Sequence, residues 1–146
     1  MPQKKKSIAW RRGNGEMLGF AVCVPLFTLL MIIVMATSNY STKLQQLTVA
    51  SYAVGRAAVV SSTPDLASSR AYAVLQTIYG SDHCSTDESD TVNQAWFKID
   101  RDGEWKTGQI ATITVSQHIG GLFPFPEQDL HSSIAMMIED DLEKVW

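Results

Sequence analysis

MLGFAVCVPLFTLLMIIVMA, residues 17–36, is a run of 20 residues with no charged side chain. A helix rising about 1.5 Å per residue carries such a run across roughly 30 Å of hydrocarbon. The sequence therefore predicts a membrane-spanning helix over residues 16–38, and everything else in the chain is read relative to it. Before it stand Lys4, Lys5, Lys6, Arg11 and Arg12, and after Glu16 the next charge is Lys43. Basic residues flanking a span stay in the cytoplasm, which places residues 1–15 inside as a basic leader and residues 39–146 outside as one small domain. A cleavable secretory signal is the competing reading of the same run, with Val34 and Ala36 at the small-residue positions before a cut at Thr37.

Charge divides the chain in the same place. Residues 1–36 hold five basic groups and one acid, whereas residues 37–146 hold seven basic and fourteen acidic groups. An acidic outer part has no basic patch for phosphate, so nucleic acid is excluded as a partner. The basic tail instead orients the helix and faces anionic lipid. Cys23 and Cys84 fall on opposite sides of the membrane boundary and cannot pair. Cys84 is then an unpaired exported thiol, either a tolerated loop cysteine or one half of an intermolecular disulfide.

Residues 1–15 are polar and end in Gly13 and Gly15, a flexible leader. Glu16 stands at the membrane edge, where an acid is costly unless paired, although a first-turn acid also suits the helix dipole. Pro25 cannot donate to the carbonyl of Ala21, so a loosened turn is expected there, resatisfied by a packing partner. The helical pattern then continues past the membrane. Tyr40, Leu44, Leu47, Ala50, Val54 and Ala57 are spaced three or four apart on one face, which predicts a single helix over residues 17–60. Small residues at four-residue spacing, Ser51 with Gly55 and Ala53 with Ala57, let another backbone approach closely. An alanine-rich helix lying on its own domain has the same signature.

Ser61 to Asp65 breaks that helix and starts a second, with Thr63 as N-cap and Pro64 at the first helical position. Ala67, Ala71, Val74 and Ile78 form its apolar face, flanked by Leu66 and Leu75, and Gly80 ends it. Residues 81–92 are an acidic surface loop whose spacing does not match a calcium-binding EF-hand. From Gln94 the pattern turns to strands. Trp96, Phe97 and Ile99 lead into the turn 100–103, with Trp105 after it. Residues 109–118 alternate Ala111, Ile113 and Val115 with Thr112, Thr114 and Ser116, as in a half-buried antiparallel strand. Gly120 and Gly121 end it, and Pro124 and Pro126 bar regular structure through the connection. Residues 131–138 fit a returning strand, followed by the charged tail EDDLEKVW.

The fold class that follows is α+β: a long N-terminal transmembrane helix, a second helix and a small C-terminal antiparallel sheet. No arrangement points to catalysis, a cofactor or a metal. His83, His118 and His131 lack metal-ligand spacing, and no phosphate-cradling glycine loop or nucleophile elbow is present. The chain is read as a non-enzyme.

Residues 11–27, RRGNGEMLGFAVCVPLF, and 47–62, LTVASYAVGRAAVVSS, together with an ITV-type strand following a Trp and a Gly, resemble the TadE-like minor pilins, or pseudopilins, of the tight-adherence pilus. The resemblance covers most of the chain and is weakest in the sheet. It implies a pilin-like bacterial inner-membrane subunit that acts in assembly or initiation of a type IV-related pilus used for attachment. Its implied partners are other pilin-like subunits, platform proteins of the assembly machine, the lipid bilayer, and a prepilin peptidase that removes the leader near Gly13 or Gly15. Glu16, Gly19, Pro25, Ser51 and Gly55 are the candidate contacts between subunit helices. Family members usually carry Glu-Phe or Glu-Tyr six residues before the proline, where this chain has Gly19-Phe20. In pilins the equivalent carboxylate pairs with a neighbour's new N-terminal amine. Here either Glu16, three residues earlier, substitutes or that pairing is absent. The rival reading is an anchored exported binding module that joins no filament.

Overall fold

The computed structural model describes residues 6–139. Lys4, Lys5 and the charged tail from residue 140 onward lie outside the described residues. Helix α1, Lys6–Val59, is 54 residues long and continuous through Gly13, Gly15 and Pro25. It starts eleven residues before the expected position, so residues 6–15 are helical where the two glycines suggested irregular chain. Lys, Ala, Trp and Arg around those glycines are compatible with helix, and each glycine only weakens it.

Helix α2, Pro64–Tyr79, begins as its sequence dictates: Thr63 is extended and its hydroxyl accepts the Leu66 N–H at 3.3 Å. Gly80, at φ 87°, ends it by donating to the carbonyl of Gln76 at 2.8 Å, a backbone conformation that a β-carbon would strain. The buried stripe is Ala67, Ala71 and Leu75, with Ile78 turned outward. The packed face is thus rotated from the expected one toward the strict four-residue row, the row whose alanines let α2 lie close to α1.

A short 3-10 turn, Ser81–His83, leads to a three-stranded antiparallel meander of β1 (Ala95–Arg101), β2 (Ile110–Ile119) and β3 (Gln128–Met137). The register pairs Ile99 with Ile113 and Ile113 with Ile134. Strand β3 starts three residues earlier than its apolar pattern indicates, because Gln128 and Asp129 continue the pairing at its polar end. The connection from β1 to β2 is wider than a four-residue turn. It keeps Arg101 in β1 and swings Trp105 under the helix–helix corner, where its indole N–H donates to the Ser61 carbonyl at 2.7 Å.

The core lies between the outer half of α1, α2 and one face of the sheet. Leu47, Ala50, Val54 and Ala58 of α1 meet Leu75 of α2 and Ile113 and Val115 of β2, all fully buried. The architecture is α+β, built on a helix whose second half is packed by the rest of the chain.

Candidate membrane and subunit interface

From Met17 to Ile32 α1 has no packing partner among the described residues. Met17, Phe20, Leu26, Phe27, Leu30 and Met35 are all exposed, at 53–76% of their full surface. Among the described residues, α1 supplies the one helix long and apolar enough to cross a membrane, and none of its most apolar window is buried by the chain. Each large apolar side chain gains about 1.5–3 kcal/mol on leaving water, so a row of them demands an apolar surrounding from outside the chain. Its hydroxyls suit that surrounding. Thr28 donates to the Val24 carbonyl at 2.9 Å and Thr37 to the Ile33 carbonyl at 2.8 Å, so neither carries an unsatisfied donor.

The sequence-designated residues fall into two groups. Gly13, Gly15, Glu16, Gly19 and Pro25 all lie in the first half of α1; a β-carbon built on Gly15 or Gly19 would meet nothing within 4 Å, and Pro25 is exposed. Ser51 and Gly55 lie on the packed half. The Ser51 hydroxyl is 3.0 Å from that of Ser132, and a β-carbon on Gly55 would come within 3.1 Å of Ile134 Cγ2 and 3.2 Å of Met136 Sδ. The close approach expected toward a neighbouring subunit is made instead to the chain's own β3. This is the alternative reading of the small-residue signature, an alanine-rich helix packed on its own domain.

Where the two halves of α1 meet, the chain folds back on the helix. Ala36, the last residue of the apolar run, is only 2% exposed, and it shares a cleft of about 310 Å³ with Tyr40, Lys43, Val92, Leu122 and Phe125. Tyr40 stacks on Phe125 with ring centroids 5.0 Å apart and planes 13° from parallel, a contact worth about 0.5–1.5 kcal/mol beyond area burial. Phe125 belongs to a closed turn in which the N–H of Leu122 donates to the Phe125 carbonyl at 3.0 Å and the N–H of Phe125 returns to Leu122 at 2.7 Å. Phe123 and Pro124, joined by a cis peptide bond, form the tip. Gly121 permits the turn to close, since a β-carbon there would lie 3.0 Å from the Glu127 nitrogen.

The far side of the same turn is tied to the sheet. His118 on β2 places Nδ1 2.7 Å from Asp129 Oδ1 and Nε2 3.0 Å from Glu127 Oε1. Hydrogen bonding to Asp129 and then to Glu127 raises the pKa of the imidazole against the opposing effect of burial. One rung along, Ser116 Oγ and His131 Nδ1 share a hydrogen bond of 2.8 Å, and Thr114 and Ser133 share another of the same length. These contacts make a cross-strand polar ladder on the sheet face away from α1. In the sequence His118 and His131 carry no sign of these partners. The alternation of Thr114, Ser116 and His118 opposite Ser133, His131 and Asp129 becomes meaningful only once the register is known.

Cys84 is neither in an open loop nor available to another chain. It is 8% exposed and belongs to the core beside Ala95, and burial pushes its thiol pKa up, which keeps it protonated and unreactive. The acidic loop and histidines supply no grouping of three or more His, Cys, Asp or Glu suited to a metal among the described residues. Cys23, the other thiol, is exposed on the apolar half of α1. Comparison of the chain with protein-family models, curated proteins and solved structures finds no match.

Proposed function

We propose that the chain is a single-pass membrane subunit of pilin-like design. Residues 17–36 cross the bacterial cytoplasmic membrane with the basic end inside, and the domain beyond residue 39 acts outside in assembly or initiation of a tight-adherence type pilus. The observation that carries this reading is the division of α1: one continuous helix is packed by its own domain along one half and bare along the other. A bare apolar rod that projects from a small domain can be held by lipid and can also pack laterally against rods of the same kind. Gly19 and Pro25 lie on that bare half and, with Glu16, are the contacts assigned to neighbouring subunits, whereas Ser51 and Gly55 serve the subunit's own fold.

The test has two parts. Deleting the protein abolishes surface pili and adherence if it acts in pilus assembly; pili and adherence that persist unchanged favour an anchored binding module. Co-expression with a prepilin peptidase removes residues 1–13 or 1–15, read as a mass loss on the intact chain, and an unchanged mass counts against processing as a pilin.

A further inference from the structure

We propose that the turn at residues 121–125 is a second membrane contact, with Leu122 and Phe123 seated in the interfacial layer of the outer leaflet beside the point where α1 leaves the bilayer. This rests on the reading that residues 17–36 span the membrane. Given that reading, the depth of the turn follows from the helix. Ala36 ends the apolar run, and Tyr40, which holds Phe125, is one turn of helix farther on, about 6 Å at 1.5 Å per residue. The polar layer of a leaflet is of that thickness, since a bilayer of about 40–45 Å has a hydrocarbon core of about 30 Å. The turn also shares a cleft with Ala36 itself, so it reaches back to the edge of the apolar run.

Its composition matches that layer. Leu122 is 49% and Phe123 64% exposed, two large apolar side chains adjacent at the tip of a closed turn. Their neighbours across the cleft, Tyr40 and Lys43, are an aromatic with a polar end and a cation with no ion-pair partner among the described residues. Aromatic rings with a polar tip settle at headgroup depth, and a lysine there complements lipid phosphate. The turn is also braced for contact: Tyr40 stacks on one side and His118 reaches Glu127 on the other. A domain so braced is held at a defined tilt and height against the membrane rather than swinging about the single helix.

Site-directed spin labelling of the full chain in vesicles of phosphatidylethanolamine and phosphatidylglycerol tests this, in a Cys23→Ser background with Cys84 left in the core. Labels are placed one at a time at Phe123→Cys, at Phe27→Cys within the apolar run, and at Asp102→Cys on an exposed loop. Accessibility to oxygen, which concentrates in lipid, is compared with accessibility to a water-soluble nickel complex. The expected result is a severalfold higher oxygen-to-nickel ratio at 123 than at 102, with 27 higher still. A ratio at 123 equal to that at 102, while 27 reports lipid, overturns the turn contact and leaves the anchor standing. Low access of both reagents at 123 means a protein covers the tip and also overturns the proposal. A watery ratio at 27 overturns the anchor and the turn contact together.

Discussion

Gly55 shows at the scale of one residue how a packing signal is read and where it leads. A glycine between Ser51 and Arg56 on a helix marks a surface that another backbone approaches, and here the approaching element is β3, with Ile134 and Met136 against the site. Gly55→Leu is expected to destabilise the domain by about 1–3 kcal/mol, the usual cost of forcing extra methylenes into a packed contact, read as a lower thermal midpoint of the protein in detergent. Gly19→Leu, on the bare half, is expected to leave that midpoint unchanged, since a side chain there meets nothing. The small-residue spacing was visible in the sequence, but its partner was not, because a glycine that faces a sister helix and one that faces a strand of its own chain carry the same letter in the same pattern. His118 adds a pH dependence of definite sign. Its pKa is raised by Asp129 and Glu127, so its stabilising effect is complete below the ordinary histidine value of about 6.5 and fades as pH rises through the elevated folded value. Thermal midpoints measured across that window are expected to fall with rising pH in the native chain and to lose that component in His118→Gln. An unchanged pH profile in the variant would contradict the bridging role.

Among the elements, those with local chemical instructions were legible. Thr63, Pro64 and Gly80 specified both ends of α2 because capping is settled within four residues. Thr63→Ala is expected to cost about 1 kcal/mol, measured by the same thermal unfolding. Strand β2 was legible within one residue, since one of its faces is core and alternation is then enforced. What escaped was the destination of irregular segments. Pro124 and Pro126 exclude helix and central strand from the connection after β2, yet nothing in them says that Phe125 stacks on Tyr40. Trp105 likewise read as part of a strand region, whereas its indole clamps the carbonyl of Ser61 at the α1–α2 corner. Trp105→Phe removes that donor and leaves the carbonyl unpaired, and a loss of about 1–3 kcal/mol is expected. Cys84 was unreadable for a related reason: a cysteine in a polar stretch gives no sign that a lone bridge to Ala95 carries it into the core.

The molecule as a whole is a rod with a cap at one end. The division of α1 into a packed half and a bare half was legible, because the charge-free apolar run of residues 17–36 gives way after it to a pattern with a single apolar face. The register of the sheet against the packed half was not, because it depends on contacts between distant parts of the chain. If lipid surrounds the bare half, replacing Leu26 and Leu29 with arginine is expected to cost about 2.5–3.5 kcal/mol each near the centre of the span and to shift the protein out of the carbonate-resistant membrane fraction. The same substitutions leave the cap folded, because neither position touches it. The most direct measurement is N-terminal sequencing of the protein isolated from cell membranes. A membrane-held chain that begins at the leader, or just after Gly13 or Gly15, keeps residues 17–36 and is the predicted result; a soluble chain that begins at Thr37 would contradict the account.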